Sequence, residues 1–310
     1  MALPPELRDL AARVSNWGRW GADDERGTLN LIDAAAVARG RDCIRTGRVF
    51  SLAIPLDEHG PQMGNMPGRN NPVIERPLVN SAWSGDPGDA TWSDDHLDMG
   101  VQAATHWDTL AHLSYDGLHY NGIPVGIVTE EDGASRLGVE AVGPVVSRGI
   151  VLDVARALGH EDRLPGVHPI SASDLDRAAE HAGVAPVAGD IALVRTGQMG
   201  VWRGGNRNGF SMTTPGLGIE SIEWFHRNDI AAVAIDTLPF EPIDYKTADW
   251  SFPVQMIMLR DMGLLLGQLW DLDALALHCA ADGVSEVFLA ANPLPITHGI
   301  GGVCAPVAIK

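Results

Sequence analysis

The chain has 310 residues, 45% of them hydrophobic, enough for a sizeable core in one domain spanning 1–310. Its 22 Lys and Arg stand against 40 Asp and Glu, a formal charge of −18 at pH 7 that repels phosphate backbones and anionic lipid, so neither nucleic acid nor membrane is an expected partner. Three cysteines (Cys43, Cys279, Cys304) at no metal-ligand spacing, no apolar run of transmembrane length and no secretory-type leader lead to the expectation of a cytoplasmic protein without disulfides.

In chain order, Pro4–Pro5 before ELRDLAARV predicts a short helix, DAAAVARGRDCIR a second, and GRVFSLAIPL a strand. Residues 57–96 gather Gly, Pro, Asn and Asp around Trp83 and Trp92, which predicts a long irregular loop insertion, either a lid or a surface excursion packed by its own aromatics. The apolar, β-branched runs 149–155, 190–196 and 230–236 read as strands covered on both faces. Helical patterns lie around them at 171–183, 215–229 and 271–283, the first with a Ser cap and the first and last ending at Gly183 and Gly283. The expected fold class is α/β. GIGG at 299–302 reads as a turn, and His278 and His298 as structural residues.

Chemistry concentrates in VQAATHWDTLAH, residues 101–112. Written as a strand, positions 102, 104, 106 and 108 share one face, which brings Gln102, His106 and Asp108 together and turns Trp107 away. A helix starting at Thr109 would place His112 one turn above Asp108. Imidazole and carboxylate on adjacent same-face positions suit a divalent metal or an acid/base pair. Asp236 and Glu241, at the exit of an apolar run, are further candidates to face a pocket, with a turn cap as the alternative. No GxSxG, Walker or HExxH motif is present, so serine-hydrolase, nucleotide and zincin readings lack support.

The stretch resembles the HxGTHxDxxxH signature of the cyclase family, which includes bacterial kynurenine formamidases and isatin hydrolase. Thr105, His106, Asp108 and His112 match it, while Gln102 and Ala104 stand where the signature has His and Gly. Segments WGADDERGTLNLI, GRVFSLAIPLDEHGPQ, YDGLHYNG, RGIVLDVAR, GDIALVRTG, AAVAIDTLPFE, LRDMGLLLGQLWDLDALA and NPLPITHGIGG are similar to the family's longer branch, in which the signature commonly starts with Gln.

The resemblance implies a swivelling β/β/α fold, a barrel-like mixed sheet surrounded by helices, commonly as a homodimer. It also implies a hydrolase that opens an amide, lactam or lactone in a small, partly aromatic substrate. His112 is then the acid/base, His106 and Asp108 hold a divalent Zn or Mn ion, and Gln102 orients water or substrate. Trp107, Tyr115, Tyr120 and Asp236 are candidates for substrate contact. Met256 and Gln268 fall where members with a full site supply a His and a Glu, leaving two ligands where catalytic zinc takes three; His119 is a candidate replacement. The alternatives are a metal-free cyclase, dehydratase or isomerase using the His–Asp pair, and a non-catalytic binding or scaffold protein.

Overall fold

The structure, a computed structural model, describes residues 2–86, 88–247 and 252–310. Eleven strands matter for the site: β1 (Val49–Ser51), β2 (Val73–Ala82), β3 (Thr91–Asp98), β4 (His106–Asp108), β5 (Val146–Asp153), β6 (Ile191–Arg195), β7 (Ala232–Ile235), β8 (Leu265–Gln268), β9 (Glu286–Ala290), β10 (Gly301–Val303) and β11 (Val307–Ile309). Nine of them form one mixed sheet in the order β1-β11-β9-β5-β6-β7-β8-β4-β10, curled into a half-barrel. The central four are mutually parallel, and the flanking pairings are antiparallel.

Alternation explains why the central strands read as unbroken apolar runs. Ile150, Leu152, Ala192, Val194, Val233 and Ile235 point into one hydrophobic cluster, while Val151, Ile191, Leu193, Ala232 and Ala234 point into another. Helices cover both faces, so neither register position can be polar. Five of the helices are α1 (Arg8–Arg13), α2 (Ala34–Asp42), α3 (Ala172–Ala182), α4 (Ile222–Arg227) and α5 (Asp273–Asp282). Local chemistry sets their ends. Ser171 and Asp174 form a reciprocal capping box at the start of α3, and Gly183 and Gly283 take left-handed conformations after α3 and α5.

Two expectations need correction. The 57–96 segment is irregular only in its first half; β2 and β3 make an exposed antiparallel hairpin, with Trp83 packed edge-on against Trp92 at 4.3 Å between ring centroids. GIGG is not a turn throughout, because Gly301 and Gly302 form strand β10 against β4. The close approach needs small residues: a Cβ on Gly302 would lie 2.4 Å from the Pro293 Cβ. Cys43, Cys279 and Cys304 are buried and form no disulfide. Among the described residues, no helix is long and apolar enough to cross a membrane.

Candidate active site

β4 is three residues long, and its neighbours decide where its side chains go. Asp108 pairs with Leu266 and His106 with Gln268 on β8, so these four side chains share one face, while Trp107 lies on the other. There Trp107 packs against Trp270 at 4.8 Å between ring centroids and donates its indole N–H to the Ala291 carbonyl. It is fully buried core and does not line a cavity. Residues 101–105 are turns and bends, not strand, so Gln102 does not join His106 and Asp108 by register; its amide lies against Gly301. Thr105 braces the stretch, donating to the Leu269 carbonyl at 2.6 Å and accepting from the Ile54 N–H at 2.9 Å.

Beyond β4 the chain turns without forming a helix: the His112 N–H donates to the Thr109 carbonyl at 2.9 Å. The turn returns His112 to the strand face as a helix would have done. Its Nε2 sits 3.6 Å from Asp108 Oδ1, and His106 Nε2 sits 3.3 Å from the same oxygen. The other carboxylate oxygen, Oδ2, accepts from the Gln268 amide at 2.6 Å. His106 and Asp108 are fully buried, whereas the His112 side chain is 22% exposed.

Electrostatics divides the three residues into roles. Burial alone would raise the Asp108 carboxyl, but the neighbouring His112 and His106 and the Arg69 guanidinium outweigh it and hold Asp108 well below the usual carboxylate range. For His112, burial lowers the imidazole; Asp108 opposes this, and Arg69, with Nη2 3.4 Å from His112 Nε2, and His106 add to it. The result is an ionised carboxylate behind an imidazole that favours its neutral form.

Lone pairs decide whether a catalytic metal fits. His106 Nδ1 lies 2.7 Å from the Ala104 carbonyl, which only accepts, so Nδ1 carries a hydrogen and the other ring nitrogen, Nε2, faces Asp108 Oδ1. Both atoms are buried without a hydrogen-bond partner, as is Gln268 Oε1, so the spot favours a proton or cation. The donors nevertheless fall short of a catalytic ion. Among the described residues, no three His, Cys, Asp or Glu side chains group to hold a metal, and Gln268 brings a neutral amide whose N–H already engages Asp108. A zinc-type centre does not fit this donor set.

The cavity beside this cluster has a volume of about 210 Å³. His112, Arg69, Gln268, Gln255, Ser211, Gln62, Asn65 and Tyr245 supply its polar wall, and Met63, Met66, Leu113, Leu238, Ile243 and Phe252 much of its apolar one. The 61–69 half of the insertion thus forms a wall of the cavity. His106 and Asp108 lie behind the wall and reach the cavity through His112 and Gln268.

Several candidates lie elsewhere. Tyr115 donates to Asp261 Oδ2 at 2.5 Å beneath the Arg260 guanidinium, and burial pushes its phenol up. Tyr120 donates to Asp24 Oδ2 at 3.0 Å in the same hydrophobic cluster. His119, buried, has Nδ1 3.1 Å from the Leu113 carbonyl and supplies no ligand to the cluster. Asp236 accepts from the Thr196 N–H and hydroxyl and from the Gly197 N–H, tying β7 to the chain after β6. Met256 is buried in the core. The residues that sequence reasoning missed are Arg69, Ser211 and Gln255, which come from segments without a motif, and Gln62, which ends a family-like segment but was given no role.

Known proteins share this architecture. The sequence model of the cyclase family matches residues 50–242. Among solved structures, one described as a novel cyclase is 34% identical, with a TM-score of 0.88, covering 96% of this chain and 100% of its own. Isatin hydrolase A from Ralstonia solanacearum is 22% identical, with a TM-score of 0.60 over 89% of this chain and 95% of its own. A predicted metal-dependent hydrolase from Bacillus stearothermophilus is 16% identical, with a TM-score of 0.53 over 85% and 98%. The last two show likeness of fold. No curated protein sequence matches the chain.

Proposed function

The chain belongs to the cyclase family, and from that premise we propose that it is a hydrolase of small molecules, opening an amide, lactam or lactone bond with His112 as general acid/base. The observation that carries this reading is the placing of His112. Of the four residues that match the signature it alone lines the cavity, and it does so with an ionised carboxylate 3.6 Å behind its Nε2.

The residues support a direct sequence of proton transfers. Neutral His112 takes a proton from a water as that water attacks the substrate carbonyl, and the Asp108 carboxylate stabilises the imidazolium that forms. Breakdown of the tetrahedral intermediate breaks the C–N or C–O bond, and His112 returns its proton to the departing nitrogen or oxygen. The products are a carboxylic acid and an amine or alcohol, joined in one molecule if the substrate was cyclic. Gln268 holds Asp108 from the side away from His112, so the carboxylate cannot rotate off the imidazole.

Hydrolysis adds one water across the cleaved bond, so a mass-spectrometric screen of formamides, lactams and lactones for their products tests the proposal. Turnover of at least one class, abolished in His112→Ala, is the expected result; no turnover of any class by folded protein would remove the hydrolase reading.

A further inference from the structure

The cavity that holds His112 also holds Arg69, and the chemistry of that pair limits what can bind. Apart from His112, Arg69 is the one side chain with an ionisable group of ordinary cationic character among the described residues lining the cavity, and no Asp or Glu lines it. None of the ion pairs found among the described residues involves Arg69; its contact there is His112. Elsewhere in this chain guanidinium groups meet carboxylates repeatedly, as in Arg148 with Asp190 and Glu286, or Arg195 with Asp153 and Asp273. A half-buried guanidinium facing a largely apolar hollow keeps several donors in a planar fork suited to a carboxylate.

The nearby negative charge does not cancel this. Asp108, whose charge Arg69 feels, lies behind His112 and makes no ion pair with Arg69; its two oxygens sit beside His106 and His112 and under the Gln268 amide, so the Arg69 fork faces the cavity without a carboxylate partner among the described residues. Arg207, which does not line the cavity, donates to the Gln62 carbonyl at 3.0 Å and so puts a second positive group behind that wall.

We propose that Arg69 is the specificity-determining residue of this site, and that the substrate is a small organic anion whose carboxylate binds Arg69 while an apolar body fills the hollow. At about 210 Å³ the hollow suits a body of roughly one ring, below the size range of drug-like sites. The substrate assignment rests on the hydrolase reading; the anion site does not, because it can be measured without turnover.

The test uses calorimetry of the full chain with benzoate and its neutral isostere benzamide, at pH 8, for wild type, Arg69→Met and Arg69→Lys. Benzoate is expected to bind wild type at least tenfold more tightly than benzamide does, to lose at least tenfold in Arg69→Met, and to recover part of that in Arg69→Lys. Benzamide binding should not respond. Equal affinity for the two probes, or equal loss of both in Arg69→Met, overturns the anion site whether or not the protein hydrolyses anything. If turnover is found, a γ-lactone with and without a carboxylate substituent separates the roles. At pH 8, above the ordinary imidazole value, a rise in KM confined to the anionic lactone in Arg69→Met supports specificity, and an equal fall in kcat for both lactones contradicts it by making Arg69 a general oxyanion donor.

Discussion

Gln268 donates its amide N–H to Asp108 Oδ2 at 2.6 Å, joining the last residue of β8 to the last residue of β4 across the sheet. A second carboxylate in that place would bring two negative charges together in the interior, whereas the amide supplies a hydrogen and no charge. Gln268→Glu is therefore expected to lower Tm at neutral pH, and added Zn²⁺ or Mn²⁺ to restore it, since the variant holds His106, Asp108 and a new carboxylate together. Elemental analysis should find less than one equivalent of metal in purified wild type. A full equivalent that tracks activity through chelation and readdition would contradict this view of the donor set.

Arg69 and burial both favour the neutral form of His112, so the acid limb of kcat/KM should have its midpoint below the ordinary imidazole value. Replacing Arg69 by Met removes one of these influences. The midpoint should move to higher pH, read from a pH–rate profile on a neutral substrate. A shift downward would show that the two side chains do not interact as the 3.4 Å separation implies.

Two glycines at the site make a paired prediction about packing. A Cβ on Gly267 would sit 2.7 Å from Trp270 Nε1 and 2.8 Å from Trp107 Cζ3, both in buried rings that cannot swing away. Gly267→Ala should lose about 1–3 kcal/mol in denaturant unfolding. A Cβ on Gly301 would meet the Gln102 amide at 2.4 Å, but that is the end of a flexible, part-exposed side chain. Gly301→Ala should be the milder of the two, and the reverse order would contradict the packing described for β4.

Glu241 and Asp236 carry a pH dependence of stability. Burial raises Glu241 to about 7 against the backbone N–H of Gln255, and burial with the nearby Asp273 charge raises Asp236 to about 6 against its bonds from Thr196 and the charge of Arg195. For a carboxyl whose folded pKa exceeds its unfolded value, the fold favours the protonated form. The contribution is fully present below the unfolded pKa near 4 and is lost as pH rises through the folded value. A tenfold difference in proton affinity between the folded and unfolded chain is worth about 1.4 kcal/mol, so either group changes stability by a few kcal/mol between about pH 4 and 8. Glu241→Gln should flatten the upper part of that fall, measured as Tm against pH; a slope equal to wild type would show that Glu241 ionises freely in the fold.

Much of this architecture was legible in the sequence because burial on both faces leaves a plain signature. The centres of the runs around Ile150, Leu193 and Val233 carry no polar residue, and Ser171, Gly183 and Gly283 mark helix ends by capping and left-handed geometry. The His106–Asp108–His112 cluster was legible from alternation and from the family spacing, although a turn and not a helix returns His112. The rest of the site was not. Arg69, Ser211 and Gln255 reach the cavity from segments far apart in sequence and carry no periodic pattern. Conversely, Tyr115 and Tyr120 were candidates as polar aromatics near the motif and Asp236 as a carboxylate at the exit of an apolar run, yet each is occupied by a hydrogen-bond partner that only tertiary structure reveals.

The most direct test is the kcat of His112→Ala on whichever amide, lactam or lactone the wild type turns over, with folding verified by Tm and with benzoate binding retained as evidence of an intact cavity. General acid/base catalysis predicts a fall of about 10²–10⁴-fold. An unchanged kcat in that folded variant would contradict the assignment of His112 and the reaction built on it.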